Sequence, residues 1–223
     1  MKNKAIVHTQ EHQKAFLFDL ILYLAIMFLV REIYFPGVDF IVNALCYSTT
    51  TLIVASWRMR VRGLNWKDIG LRKPENLLKT LIITGLILVS VIISIMSYEI
   101  IKEFIPFLAD NHTEAVQSDT RFSKLKGNIG YFLLIIGFIW IESMLEEMLD
   151  RGFLINWLER VFSKTPVATA LAVLLQALIF GFRHAPSHGL SGAITVCIIG
   201  LVMGIAYVKG GRNLWPLIIA HCF

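Results

Sequence analysis

Five ionisable side chains fall within ten residues of one apolar run: Glu142, Glu146, Glu147, Asp150 and Arg151. A charge at the centre of a membrane-spanning helix costs about 2.5–3.5 kcal/mol on insertion scales, so such a cluster is kept for what it does. In α-helical geometry Glu147 and Arg151, four apart, share a face and can pair. Glu146 points about 100° away from Glu147, so the same arginine is badly placed to neutralise both. One glutamate therefore reads as structural and the other as available for chemistry.

A second apolar run ends in Phe180-Gly-Phe-Arg-His184, with Phe180 and His184 on one face and Gln176 a turn earlier. If the chain turns near Lys164 and Thr165, Glu146 lies about 18 residues before the turn and His184 about 19 after it. Antiparallel packing then sets them at similar depth, and a carboxylate beside an imidazole in a low-dielectric site is a water-activating pair. A third piece, Leu214-Trp-Pro-Leu-Ile-Ile-Ala-His221, carries His221 about nine residues past Arg212, roughly 13 Å into a membrane. His221 can join the same site from a different helix.

The elements that position these residues are long and apolar. The chain has 223 residues, 56% of them hydrophobic, and a mean hydropathy of +0.66. One soluble core of this size cannot hide that much apolar side chain. Several runs reach the roughly 20 residues that cross a bilayer as a helix, and none shows the alternation of a β-barrel. The pattern predicts an all-α polytopic transmembrane helix bundle with six full spans plus an incomplete seventh. The spans are 14–34, 38–57, 77–101, 129–151 with a continuation toward 162, 167–182 and 190–208, and the short piece is 214–223. A carboxylate terminus in hydrocarbon is expensive, so the expectation is that the sequence continues past Phe223.

A net charge of +5 lies between the apolar runs, as the positive-inside rule requires, and does not point to nucleic acid. With the N-terminus inside, Lys2, Lys4, Lys14, Arg58, Arg60, Arg62, Lys67, Arg72, Lys73, Lys79, Arg160, Lys164, Lys209 and Arg212 share one side. Arg31, Lys102, Arg121, Lys124, Lys126 and Arg183 fall on the other, and the bias favours a cytoplasmic N-terminus. Segment 58–74 interleaves its cations with Leu64, Trp66, Ile69 and Leu71, which suits an anionic headgroup region. Pro36 and Gly37 mark a turn, and 106–128 reads as an extramembrane loop. Cys46, Cys197 and Cys222 sit in apolar runs and form no disulfide framework. No small-residue cleavage site follows the first run, so it reads as a retained span. His188, after Pro186, reads as a turn residue, and His8 and His12 lie in a polar tail.

Taken together, these residues resemble the CPBP family of intramembrane endopeptidases, also called the CAAX-protease or Abi family. Glu146, Glu147 and Arg151 match its Glu-Glu-x-x-x-Arg motif, followed by Gly152-Phe153-Leu154. Phe180 and His184 match Phe-x-x-x-His, and His221 matches the first position of His-x-x-x-Asn/Asp. The stretch Trp66-Lys-Asp-Ile-Gly-Leu-Arg72 looks like the one that precedes the family core, so the resemblance covers about 66–223. Asp150 stands where the family has an apolar residue, Arg183 is an added charge, and the final Asn/Asp would fall two residues past Phe223.

The resemblance implies an endopeptidase acting on membrane-associated peptides or proteins. Glu146 would activate water, His184 would hold it, and His221 would stabilise the oxyanion. Glu147, Arg151 and Phe180 would support them. No cofactor is favoured; the alternative is zinc on Glu146, His184 and His221, although no His-Glu-x-x-His helix is present. The division that follows is 1–76 for the N-terminal spans and basic linker, 77–128 for the third span and polar loop, and 129–223 for a catalytic core that is C-terminally incomplete. Expected partners are a peptide or membrane-protein substrate and the bilayer, with no nucleic acid. Gly200 and Gly204 could admit another helix, which leaves a homo-oligomer or membrane partner open. The expected location is a bacterial plasma membrane, and the family's bacterial members are linked to peptide maturation and bacteriocin immunity. Two rivals remain. The acidic stripe Glu142, Glu146, Asp150 would suit a proton- or cation-coupled carrier, though no internal symmetry is seen. The absent final motif residue would suit a catalytically silent scaffold.

Overall fold

The computed structural model describes residues 2–33, 35, 40–105, 108 and 127–223. Its elements are all helical: α1 (Lys2–Glu32), α2 (Phe40–Val61), α3 (Leu77–Lys102), α4 (Ile129–Glu146), a π-helical stretch (Glu147–Ile155), α5 (Asn156–Val161), α6 (Ala168–Lys209) and α7 (Trp215–His221). Among the described residues, five runs are long and apolar enough to cross a bilayer: His12–Glu32, Phe40–Val61, Leu77–Lys102, Ile129–Val161 and Ala168–Lys209. The chain is a multi-pass membrane protein. The turn expected at Pro36 and Gly37, and nearly all of the loop expected at 106–128, lie outside the described residues. The N-terminal tail, read as polar lead-in, is helical and continuous with the first span, because neither Gly nor Pro interrupts residues 2–32.

The count of five, where six full spans were expected, comes from α6. At 42 residues it would extend about 63 Å, twice the hydrocarbon thickness. Gly189 breaks it with φ 65° and ψ −175°, a backbone conformation essentially confined to glycine. The two arms then fold back on each other. A Cβ on Gly181 would meet Ala193 and Cys197, one on Gly200 would meet Ala177 and Phe180, and one on Gly204 would meet Val173. Numbers falling on one arm as they rise on the other describe an antiparallel pair. The Gly200–Gly204 pair thus serves contact within the chain.

This close approach yields a first prediction. A Cβ at Gly181 would lie 2.6 Å from the Ala193 carbonyl oxygen and 2.7 Å from Cys197 Cβ, and backbone cannot yield as a side-chain tip does. Gly181→Ala is expected to cost about 1–3 kcal/mol by overpacking. Gly137→Ala, with nothing within 4 Å of its Cβ, should be neutral or stabilising. Thermal midpoints of the two purified variants check this, and equal midpoints would reject the packing account.

Every residue of the π-helical stretch is buried, so its charges face protein and not lipid. Aromatic rings close one side of it: Phe153 stacks on Trp157 with centroids 4.1 Å apart, and Tyr23 of α1 lies 4.8 Å from Phe153. A buried carboxylate, Asp19, ties α1 to α2 by accepting from Arg58 Nε at 2.7 Å and Arg62 Nε at 2.7 Å. That hydrogen bond raises the pKa of Arg62. Two cations expected at the headgroups are therefore committed to an internal carboxylate that the sequence reading did not single out.

A second set of bonds seats α7. The Gly70 carbonyl accepts from Leu214 N at 2.9 Å. The Tyr207 hydroxyl donates to the Ile69 carbonyl at 2.8 Å and accepts from Asn156 at 2.8 Å. Arg212 holds Glu159 at 2.7 Å. Gly70 has φ 109° and lies so near the Arg212 carbonyl that a Cβ would strike it, so this crossing accepts only glycine.

Candidate active site

Glu146 is the last residue of α4, where α-helical winding gives way to the π-helical stretch, a backbone irregularity that recurs at functional sites. Its side chain is 20% exposed, whereas those of Glu147 and Arg151 are fully buried. Glu147 and Arg151 pair at 3.0 Å. Two imidazoles converge on Glu146. His184, from the first arm of α6, has its Nδ1 2.7 Å from the Phe180 carbonyl. A carbonyl can only accept, so a proton sits on Nδ1, and Nε2 is the ring nitrogen turned toward Glu146. That Nε2 is 3.7 Å from Glu146 Oε1. His221, at the end of α7, donates Nδ1–H to Glu147 Oε1 at 2.7 Å and points Nε2 at Glu146 Oε2, 3.7 Å away.

Each carboxylate oxygen of Glu146 thus faces one imidazole at a separation too long for a direct hydrogen bond. Neighbours fix the position of His221. Thr84 donates to the Pro216 carbonyl at 3.1 Å, Trp140 to the Cys222 carbonyl at 3.2 Å, and Ser143 to the His221 carbonyl at 3.5 Å. The structure therefore brings together Glu146, Glu147, Arg151, Phe180, His184 and His221. His188 stays outside: it is exposed, shares a 2.7 Å hydrogen bond with Ser187, and its ring centroid is 5.8 Å from that of His184.

One participant was not anticipated. Arg183, expected on an outer segment, is buried and bridges two carboxylates. Its Nη2 lies 3.0 Å from Glu146 Oε1 and 3.0 Å from Asp150 Oδ2, and its Nη1 lies 3.4 Å from Asp150 Oδ1. Asp150 and Arg183, the two charges that depart from the motif pattern, are partners. The signal was available as two opposite charges inside apolar runs, which seldom persist there unless they pair. The Phe180 ring has two guanidiniums over it, Arg151 at 4.5 Å and Arg183 at 4.9 Å from its centroid. The ring's π-system attracts both cations.

The acidic stripe is divided. Glu146 and Asp150 share Arg183, whereas Glu142 accepts from the Ser48 hydroxyl of α2 at 2.6 Å. A cavity of about 10 Å³, bordered by Arg31, Ser48, Thr51, Glu146 and Arg183, has room for one water molecule.

Glu146, His184 and His221 are the residues that could hold a metal. Arg183 occupies Glu146 Oε1, and among the described residues no group of three His, Cys, Asp or Glu is set to hold an ion.

Comparison with known proteins bears on the same segment. Residues 128–223 match the family model of type II CAAX prenyl endopeptidase Rce1-like proteins, and they include Glu146, His184 and His221. No curated protein and no solved structure matches the chain.

Proposed function

We propose that this chain, a member of the CPBP/CAAX protease family through residues 128–223, hydrolyses peptide bonds of membrane-associated peptides or proteins with water activated by Glu146. The observation that carries this reading is the pair of imidazole Nε2 atoms, each 3.7 Å from one oxygen of Glu146. A water beside this pair donates one hydrogen to Glu146 and the other to His184 Nε2, and its oxygen keeps a lone pair free to attack. As that oxygen attacks the scissile carbonyl, Glu146 takes the water proton and later passes it to the leaving amine nitrogen. His221, protonated on both nitrogens and braced by Glu147, donates Nε2–H to the oxyanion. Arg151 balances Glu147 so that it can brace His221 without an unpaired buried charge.

The same reading takes α6 as two crossings joined at Gly189 and α7 as a seventh, partial one. It sets the N-terminus on the cytoplasmic side of a bacterial plasma membrane. Support for that orientation comes from Arg60 in the last turn of α2 and Lys209 in the last turn of α6.

The mechanism is metal-independent, a reading supported by the guanidinium on Glu146 Oε1. The test is incubation of the lipid-reconstituted protein with a prenylated CAAX peptide and with an unprenylated membrane-anchored peptide, products being read by mass spectrometry. A cleaved product whose rate is unchanged by a strong chelator is expected. Loss of turnover that zinc restores would overturn the metal-free mechanism. Absence of any cleaved product would favour the silent scaffold or the carrier.

A further inference from the structure

The ends of α3 and α6 build a second concave feature, away from Glu146. Lys79, in the first turns of α3, and Lys209, the last residue of α6, stand at one rim with Arg72. They border a polar pocket of about 190 Å³ or its continuation, the polar part being lined by Arg72, Glu75, Asn76, Lys79, Gly211 and Asn213. A groove of about 660 Å³ continues from it between α3 and α6, along Ile83, Leu86, Ile87, Val202, Ile205 and Ala206, with Lys79 and Lys209 at its mouth. Its deepest polar residue on α3 is Ser90. From Lys79 to Ser90 the helix rises about 16 Å, close to half of a hydrocarbon core about 30 Å thick. The groove is one leaflet deep.

Three cations meet one carboxylate at this rim. Arg72 gives Nη2 to the Gly211 carbonyl at 3.0 Å, while the Lys79 and Lys209 ammonium groups have no ion-pair or hydrogen-bond partner among the described residues. Both lysines are exposed. We propose that this feature binds one anionic phospholipid, with its phosphate between Lys79, Lys209 and Arg72 and an acyl chain along the groove. Basic pockets between membrane helices recognise such headgroups through the same pairing. An uncharged isoprenoid would use the groove and leave the cations unmatched. A zwitterionic headgroup would bring a second cation that only Glu75 could meet. Pro216, in the first turn of α7, also borders the polar pocket, so the bound lipid touches α3 together with the helix that carries His221. The proposal rests on the membrane assignment and not on the peptidase reading.

The test uses the full chain in phosphatidylcholine nanodiscs, titrated with phosphatidylglycerol and read by native mass spectrometry. The expected result is saturable binding of a single phosphatidylglycerol that inorganic phosphate does not displace. The Lys79→Ala/Lys209→Ala variant should bind about 30-fold more weakly, from about 1 kcal/mol per cation at an anionic surface. Leu86→Trp, which fills the groove and leaves the rim intact, should also weaken binding. Equal binding of the two phospholipids, or undiminished binding in both variants, would overturn the proposal. Displacement by inorganic phosphate would overturn it in favour of a free-anion site, and displacement by a farnesylated peptide in favour of a substrate groove.

Discussion

Glu146→Gln is expected to slow peptide hydrolysis about 10³- to 10⁴-fold while leaving the protein folded. The size follows from the general-base step, which positioned side chains accelerate by up to about 10⁴. Survival of the fold follows from the neighbours. Arg183 keeps its pair with Asp150 at 3.0 Å, and Glu146 is the more exposed of the two motif glutamates. Glu147→Gln should behave in the opposite way. It removes the charge 3.0 Å from a fully buried Arg151, and breaking a buried pair from one side costs about 3–5 kcal/mol. The two adjacent variants should therefore separate on a plot of initial rate against thermal midpoint: Glu146→Gln falls in rate alone, and Glu147→Gln falls in both. Near-normal turnover by Glu146→Gln would remove it from the base role. His184→Ala, which deletes the imidazole 3.7 Å from Glu146 Oε1, should follow Glu146→Gln and not Glu147→Gln.

How far the sequence led is seen best in these same residues. The spacing of Glu147 and Arg151 predicts a pair, because four residues bring side chains to one helix face, and the pair is present at 3.0 Å. Counting residues on either side of a turn near Thr165 sets Glu146 and His184 at one depth, and they meet at 3.7 Å. Both inferences need only the rise and twist of a helix. Arg183 with Asp150 needed more. The two are 33 residues apart, and which face of one helix meets which face of the next depends on packing across the whole bundle. The π-helical winding over Glu147–Ile155 was not legible either. It rearranges the faces of a segment that α-helical counting treats as regular. Asp19 was missed for a similar reason: one acid in a first span shows no local partner, and its two arginines arrive from the far end of α2. The reversal at Gly189 falls between the stretches read as 167–182 and 190–208, at a backbone conformation that only glycine adopts readily.

Arg183→Leu should destabilise the protein by about 3–5 kcal/mol, Asp150→Leu by less, and the double variant should recover most of the larger loss. Arg183→Leu leaves the fully buried Asp150 without its cation, whereas Asp150→Leu leaves Arg183, 3% exposed, with Glu146 as its remaining partner. Replacing the whole of a buried ion pair by apolar side chains is often neutral, or stabilising by about 1–4 kcal/mol. It also returns position 150 to the apolar type that the motif resemblance implies. Residues in one ion-pair network are coupled, so a double-mutant cycle on unfolding free energy should show an interaction of about 2–3 kcal/mol or more. Additive losses would show that the guanidinium and Asp150 do not act as a unit. Activity separates a further point. Arg183 also touches Glu146 Oε1 at 3.0 Å, a contact that the double variant removes and nothing replaces. The refolded double variant should therefore keep its KM and lose about tenfold in kcat, because small misplacements of a reacting group are costly. Full recovery of kcat would mean that Arg183 serves only to neutralise Asp150. A stable but slowed enzyme would mean that this added cation also holds the carboxylate at 146 in register with its two imidazoles.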